Sequence, residues 1–249
     1  SLLCVGEQPG GPYKLTETYN GTAWTEVGDT NTARQNAGAG AGTTTAGLCY
    51  GGGTNNNESW NGTSWSEIAN VNHTGKQAGG LGTQTAAMYI GGASSVFSDS
   101  ETWDGTSWAE GSDINTARYG LIGAGSTTAG IVSGGPGVGN GYVETYDGSS
   151  WTETTDLNTA RFQCMGAQNA PSSAVLVAAG GPPNKTNTEL WNGSAWTEVA
   201  DISYARNQGG GGGTQSSAVI YTGDETPGTV VNTEEWAATT SVIKTFTAT

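Results

Sequence analysis

One motif recurs along the chain and strongly constrains what the chain can fold into. It is a glutamate, then an aromatic residue, an Asn-Gly or Asp-Gly step and a tryptophan, as in Glu58-Ser-Trp-Asn-Gly-Thr-Ser-Trp65. Five copies and a degraded sixth space the glutamate at intervals of 41, 43, 43, 45 and 45 residues. These glutamates are Glu17, Glu58, Glu101, Glu144, Glu189 and Glu234. A period of this length indicates a repeat protein in which each period is one supersecondary unit.

Each period predicts four short strands. A basic residue is followed by a run of small residues, such as 207–213, and then by an apolar run that ends in glycine. The third strand ends at the first aromatic residue of the motif, and the fourth begins at its tryptophan. The Asn-Gly or Asp-Gly step between them predicts a hairpin with a type I′ turn, in which both central residues have positive φ. No segment has the periodicity and caps of a helix, so the fold is predicted to be all-β.

Four strands per period, repeated about six times, favour a β-propeller over a sandwich. A first blade is expected over residues 1–30 without its innermost strand. The other blades are predicted to start near Arg34, Lys76, Arg118, Arg161 and Arg206. We therefore expect six blades in a single domain, 1–249, with five blades and an accessory hairpin as the alternative. The tail from Ser241 has to complete the last blade. The chain opens at Ser1 rather than Met, which is typical of a processed product or a fragment.

This repeat pattern resembles that of kelch repeats, in which a strand ends in Gly-Gly, an aromatic residue precedes a turn and a tryptophan follows soon after it. The resemblance covers essentially the whole chain and implies a propeller. One stretch is similar to kelch-like arrays in virion and tail-associated proteins of marine tailed phages. It is the sequence Glu101-Thr-Trp-Asp-Gly-Thr-Ser-Trp108, followed by Asn115-Thr-Ala-Arg118. That narrower likeness implies a virion or extracellular location, with a tail-fibre, receptor-binding or structural role.

Residues that recur once per period are predicted to be structural, because a catalytic group is needed only once. All nine tryptophans and all four arginines lie at repeat positions. We expect each basic residue to pair with the glutamate of its blade, as Arg34 with Glu58, through the planar guanidinium fork. Lys76 would make a looser version. The residues interpreted in this way are Arg34, Arg118, Arg161, Arg206, Glu58, Glu101, Glu144, Glu189, Trp65, Trp108, Trp151 and Trp196.

Charge and composition disfavour two classes of partner. The formal net charge is −14, and five of the eight basic residues are committed to the repeat, which leaves no basic patch for nucleic acid. No apolar run approaches the length of a membrane span, so no membrane insertion is expected.

No catalytic constellation is visible, and we predict no catalytic residue, no metal site and no cofactor. The single histidine, His73, is interpreted as an ordinary loop residue and cannot supply the paired imidazoles of a copper site like that of galactose oxidase. The aspartates do not follow the ligand pattern of a calcium loop. A glycosidase needs only two carboxylates, so a secreted carbohydrate-active enzyme, glycosidase-like or galactose-oxidase-like, is one alternative. An intracellular kelch adaptor is another.

Binding is expected in the loops that vary. From the second tryptophan to the basic residue the spacing is 10 or 11, whereas the stretch from the Gly-Gly to the next glutamate runs from 6 to 11 residues. Loops on a rigid scaffold commonly carry binding residues. Phe97 and Tyr142, aromatic and outside the repeat pattern, are the leading candidates, with packing onto the rim as the alternative. The whole candidate set is Tyr13, Phe97, Asp99, Asn140, Tyr142, Lys185 and Glu225. The sequence thus predicts a non-enzymatic module that recognises a glycan or a surface protein through one face, or a structural part of a larger virion assembly.

Overall fold

The computed structural model describes residues 2–5, 13–34, 39–93, 96–135, 141–225, 228–238 and 242–246. All the elements of regular secondary structure in these ranges are β-strands, which confirms the all-β prediction. No described helix is long and apolar enough to cross a membrane. The candidate residue Asn140 and residues 35–38, at the start of the run of small residues that follows Arg34, lie outside the described residues.

The chain divides into two compact units, Ser1–Tyr119 and Gly120–Thr249. The strands of the first unit are β1 Leu2–Val5, β2 Thr16–Tyr19, β3 Trp24–Glu26, β4 Ala39–Gly42, β5 Gly47–Tyr50, β6 Asn57–Trp60, β7 Trp65–Ile68, β8 Gly79–Thr83, β9 Ala86–Gly92, β10 Phe97–Trp103 and β11 Trp108–Glu110. They form a three-stranded sheet β1-β2-β3 and two four-stranded sheets, β4-β5-β6-β7 and β8-β9-β10-β11, with every pairing antiparallel.

The second unit holds three four-stranded sheets. Its strands are β12 Ile122–Ser126, β13 Ala129–Ser133, β14 Val143–Tyr146, β15 Trp151–Glu153, β16 Met165–Gly166, β17 Leu176–Ala178, β18 Thr188–Trp191, β19 Trp196–Glu198, β20 Gly210–Thr214, β21 Ser217–Tyr221, β22 Asp224–Glu225, β23 Gly228–Thr229, β24 Thr233–Ala237 and β25 Val242–Phe246. The sheets are β12-β13-β14-β15, β16-β17-β18-β19 and β20-β21-β24-β25, and β22 pairs with β23 in a small hairpin.

The architecture is a β-propeller of five four-stranded blades, so the predicted number of six is wrong. The N-terminal copy contributes only the second, third and fourth strands of a period, because its apolar strand is already β1 at Leu2–Val5. It therefore stands as a three-stranded sheet rather than as a sixth blade. The alternative prediction has the observed number of blades. The prediction that the tail completes the last blade is confirmed, since β25 pairs with β24.

Small residues line the first strand of each blade because neighbouring first strands approach closely. In the first unit, a Cβ placed on Gly80 of β8 would lie 2.7 Å from the Gly40 carbonyl oxygen of β4. In the second unit, a Cβ on Gly211 of β20 would lie 2.6 Å from the Gly166 backbone nitrogen of β16. Real Cβ atoms do not reach such distances. Glycine at these positions is therefore a packing requirement, which explains the high glycine content.

The apolar second strand and the tryptophans form the core of each unit. Every residue of β5 and β17 is buried. The two aromatic residues of a motif face each other across the third and fourth strands, as Trp60 and Trp65, whose ring centroids are 5.3 Å apart. Such tilted aromatic pairs add about 0.5–1.5 kcal/mol beyond their buried area. The tryptophans thus hold the two outer strands of a blade together.

The hairpin between the third and fourth strands is confirmed, but its predicted type I′ turn is wrong. Among the described turn residues Asn61–Ser64, the glycine alone has positive φ, 97° at Gly62. Asn61 stands at the corner of the turn, where its Oδ1 accepts bonds from the backbone nitrogens of Thr63 and Ser64, both at 2.9 Å. The asparagine is therefore selected for its side-chain acceptor rather than for a left-handed backbone.

Candidate functional site

Each blade has two chemically different ends. The turn end carries the tight hairpins between strands one and two and between strands three and four. The loop end carries the connection from strand two to strand three and the segment that enters strand one from the preceding sheet. At the turn end the side chains largely hydrogen-bond locally, whereas the loop end holds the repeat arginines and glutamates.

Arg34 and Glu58 form a clamp at the loop end of the blade β4–β7. The Arg34 Nη2 lies 3.1 Å from Glu58 Oε1, and Nη1 donates to the carbonyls of Gly51 and Asn56 at 2.8 and 2.9 Å. The Glu58 side chain is fully buried. The pair therefore ties the segment before strand one to strand three, which confirms the predicted Arg34–Glu58 contact.

Glu58 also fixes the segment that arrives from the preceding sheet. Its two oxygens accept bonds from the backbone nitrogens of Asn31 at 2.6 Å and Thr32 at 3.0 Å. A buried carboxylate held by one guanidinium and by several N–H donors stabilises the fold through satisfied polar contacts. The carboxylate oxygens of the repeat glutamate thus find their hydrogen-bond donors within the protein itself.

The same clamp recurs in the second unit. Arg161 contacts Glu189 at 2.9 Å, Arg206 contacts Glu234, and all four side chains are buried. Burial lowers the pKa of Arg161 and of Arg206, and the partner glutamates oppose that shift. Arg118 of the first unit and Glu144 of the second are buried as well, at 1% and 0% exposure. The repeat ions are therefore internal, in line with the structural role expected of recurring residues.

The blade β8–β11 departs from this pattern. Its basic residue, Lys76, pairs its backbone with Ala93 of the same blade, with N···O distances of 2.8 and 2.7 Å. The buried Glu101 instead contacts His73, whose Nδ1 lies 2.8 Å from Glu101 Oε1, and His73 Nε2 lies 3.0 Å from Asp99 Oδ2. The interpretation of His73 as an ordinary loop residue is therefore wrong, because its imidazole contacts the buried glutamate that a guanidinium contacts in other blades.

The electrostatics around His73 favour its charged form. Its side chain is 24% exposed. Burial by itself lowers the pKa of His73, but the hydrogen bond and charge of Glu101 and the charges of Glu110 and Asp99 outweigh it and raise the pKa above its usual value. His73 and the two glutamates also bring one ligand atom each within 4.8 Å. Because the Glu101 oxygens already accept four hydrogen bonds, this group is a hydrogen-bonded ion cluster rather than a metal centre.

The predicted candidates of the first unit lie at the loop end, but not outside the repeat. Tyr13 and Phe97 each stand four residues before a repeat glutamate, and their carbonyls accept from the backbone nitrogens of Arg34 and Arg118, both at 3.0 Å. Both side chains are half-buried. The Phe97 ring packs on His73, with centroids 5.6 Å apart. Their main chain is therefore fixed by the repeat while the side chain varies.

Asp99 occupies a second repeated position, two residues before the glutamate. At the same offset the main-chain carbonyls of Asn56, Asn187 and Asn232 accept bonds from the Nη1 of an arginine at 2.9, 3.0 and 2.8 Å. Asp99 uses its side chain instead, on His73, and is 33% exposed. The position is fixed, and in this blade alone among the four compared it carries a charge.

The candidates of the second unit follow the same two offsets. Lys185 stands four residues before Glu189, is half-buried, and forms a backbone bridge with Arg206. Tyr142 stands two residues before Glu144, is half-buried, and its carbonyl accepts from the Gly134 nitrogen at 3.0 Å. Glu225 differs, since it lies in the exposed hairpin β22–β23. Of the two leading candidates, Phe97 belongs to the first unit and Tyr142 to the second.

Sequence reasoning missed three exposed apolar residues at loop ends. Tyr204 is 39% exposed. It directly follows Ser203, whose backbone nitrogen donates to the repeat glutamate Glu234, and so occupies the position that Thr32 and His73 hold in other blades. The Arg206 guanidinium carbon lies 5.9 Å from the Tyr204 ring centroid. Val96 and Val231 are 52% and 57% exposed. An alignment of the copies slot by slot, rather than by motif, would have found Tyr204.

The turn end binds its own polar groups. Asp104 Oδ1 accepts from the Thr106 hydroxyl at 2.7 Å and from the backbone nitrogens of Thr106 and Ser107, both at 2.8 Å. These bonds lower the pKa of Asp104 to about 2, and the equivalent bonds do the same at Asp147. These aspartates are therefore turn residues, interchangeable in role with Asn61.

Comparisons with known proteins add no assignment, because no protein-family model and no curated protein matches the chain.

Proposed function

We propose that the protein is a non-enzymatic binding module that recognises a glycan through the variable side chains at the loop ends of its blades. The observation that carries this is a fixed main chain with changing side chains. Four residues before the repeat glutamate, a backbone bridged to the neighbouring arginine presents tyrosine at 13, phenylalanine at 97 and lysine at 185. A rigid scaffold with varied side chains at equivalent places is the arrangement of a recognition surface.

The carboxylates argue for binding rather than hydrolysis. Five of the six repeat glutamates of the third strand face a second glutamate on the fourth, as Glu58 faces Glu67. Glu58 is fully buried and accepts bonds from the guanidinium and from backbone nitrogens. A general acid or a nucleophile has to reach the substrate. These paired acids are therefore assigned to the fold.

The chemistry of the exposed side chains favours a neutral ligand. The net charge of −14 repels sulfated or sialylated chains. The loop ends offer half-buried aromatic rings and amides, which stack on and hydrogen-bond to sugar rings. We infer a location on a virion or another extracellular surface, with a receptor-binding or structural role. The kelch-like repeat pattern, the low lysine content and the likeness to phage tail proteins support it.

A glycan array that contains neutral, sialylated and sulfated chains tests the proposal. We expect saturable binding to a neutral glycan, weakened by Phe97→Ala in the first unit or by Tyr142→Ala or Lys185→Ala in the second. The matched control is Ser66→Ala, an exposed residue on the outer strand β7, which should bind as the parent does. Absence of binding to every glycan would overturn this proposal and favour a protein partner or a decorating role in an assembly.

A further inference from the structure

The single histidine of the chain lies between two carboxylates at the loop end of β8–β11. Nδ1 lies 2.8 Å from Glu101 Oε1, and Nε2 lies 3.0 Å from Asp99 Oδ2. A neutral imidazole carries one N–H, whereas imidazolium carries two. Carboxylates only accept, so both contacts are hydrogen bonds only when both ring nitrogens are protonated. The geometry is that of a bound imidazolium.

Charged and titratable groups reach this imidazole from every element packed against it. Strand β10 supplies Asp99 and Glu101, and β11 supplies the exposed Glu110. From β9, the buried Tyr89 hydroxyl lies beside Gly75 in the loop of His73 itself, and that loop ends at Lys76. Three carboxylates against one ammonium make the surroundings of His73 negative, which favours its proton.

The two contacts of His73 are not equally durable. Glu101 is fully buried and is also held by the Asn72 backbone and side chain, each at 2.8 Å, and by the His73 backbone at 3.0 Å. Asp99 is 33% exposed, so water can replace the imidazole. When one proton leaves, the remaining N–H stays at Nδ1 on Glu101, and Nε2 then presents a lone pair to Asp99. The Asp99 contact is therefore the one that breaks.

We propose that His73, Asp99 and Glu101 form a pH-sensitive latch on the loop end of this blade. With the imidazole protonated, Asp99 and the start of β10 are held against loop 72–76. Deprotonation releases the Asp99 carboxylate to solvent and loosens the segment that carries Phe97, while Glu101 keeps its place. In the blade β4–β7 the equivalent cation is Arg34, which does not titrate, so this latch belongs to one blade.

The latch can be tested on the whole protein, because one histidine gives one NMR signal. A titration of the His73 Cε1 resonance should give a pKa above about 6.5, the ordinary value. Asp99→Asn should lower that pKa, and asparagine already occupies this offset at 56, 187 and 232, so the variant is expected to fold. The matched control Asp156→Asn removes an exposed carboxylate from the second unit and should leave the His73 pKa unchanged.

Amide hydrogen exchange follows the opening itself. After correction for intrinsic, base-catalysed exchange, the protection factors of the amides in 97–99 should fall about 2- to 5-fold as the pH rises through the His73 pKa, the range of a partly exposed ion pair. The variant His73→Gln, whose amide donates a hydrogen bond but does not titrate, should show no such fall. A native pKa at or below about 6.5, an Asp99→Asn variant with the parent's pKa, or protection factors in the parent that do not change with pH would each overturn the latch.

Discussion

Two neighbouring blades of the first unit pair the buried repeat glutamate with different cations. In β4–β7 the buried Glu58 meets Arg34, and in β8–β11 the equivalent Glu101 meets His73. In both blades the carboxylate also accepts two successive backbone nitrogens from the segment that enters the blade. The main-chain frame is thus independent of the cation, and the cation alone decides whether the clamp responds to pH.

Breaking the permanent clamp should have the largest effect. Arg34→Met leaves Glu58 buried without its guanidinium, and loss of one partner of a buried ion pair costs about 3–5 kcal/mol. The free energy of unfolding, measured by urea denaturation, should fall by that amount. Lys14→Met, which removes an exposed cation, should change it by less than about 0.5 kcal/mol. A loss below about 1 kcal/mol in Arg34→Met would contradict the clamp.

The indole N–H of the second tryptophan of the motif also has different surroundings in these two blades. Trp65 Nε1 donates to the buried Thr16 hydroxyl at 3.1 Å, whereas the buried Trp108 Nε1 has no acceptor among the described atoms. Trp65→Phe loses a hydrogen bond, and Trp108→Phe removes an unsatisfied donor.

Because the two substitutions remove the same atoms, their difference isolates that bond. We expect Trp65→Phe to be the more destabilising by about 1–3 kcal/mol in the free energy of unfolding. Equal losses in the two variants would show that the indole N–H groups of the two blades have equivalent surroundings.

Much of the fold could be predicted because each period repeats the same physical requirements. Small residues at Gly80, paired tryptophans and a corner asparagine are local signals, and together they predict the four strands of a period. The Arg34–Glu58 pair follows from constant offsets alone. The number of complete blades does not, because the repeat shows that the N-terminal copy lacks its first strand but not whether another part of the chain pairs with that sheet to complete it.

The candidate site was predictable in place but not in chemistry. Phe97 and Asp99 lie at a loop end as expected, yet their neighbour His73 comes from another loop, more than twenty residues earlier in the chain. One extra residue between Trp65 and Lys76 shifts Lys76 to its own blade's edge and leaves Glu101 to the imidazole. Spacing shows the insertion, but only the packed structure shows which side chain replaces the arginine.

The turn end should be the least sensitive region. Asp104→Asn keeps the Oδ1 acceptor that Asn61 uses in the neighbouring blade, so the thermal midpoint near neutral pH should not change. The bonds that lower the pKa of Asp104 to about 2 stabilise its charged form, so the carboxyl should titrate near that value in a carbon-detected NMR experiment. A carboxyl that titrates at the ordinary aspartate value would show that the turn bonds are not formed in solution.

The contrast between the two blades is tested most directly by the pH dependence of stability in the parent and in the His73→Gln variant. A raised pKa means that the stability contributed by His73 is full below about 6.5 and is lost as the pH rises through the folded pKa. The urea midpoint of the parent should therefore fall between about pH 6 and pH 9, while the variant, with a neutral amide that does not titrate, stays level. Parallel curves for the two proteins would contradict the account, because His73 would then not serve as the cation of its blade.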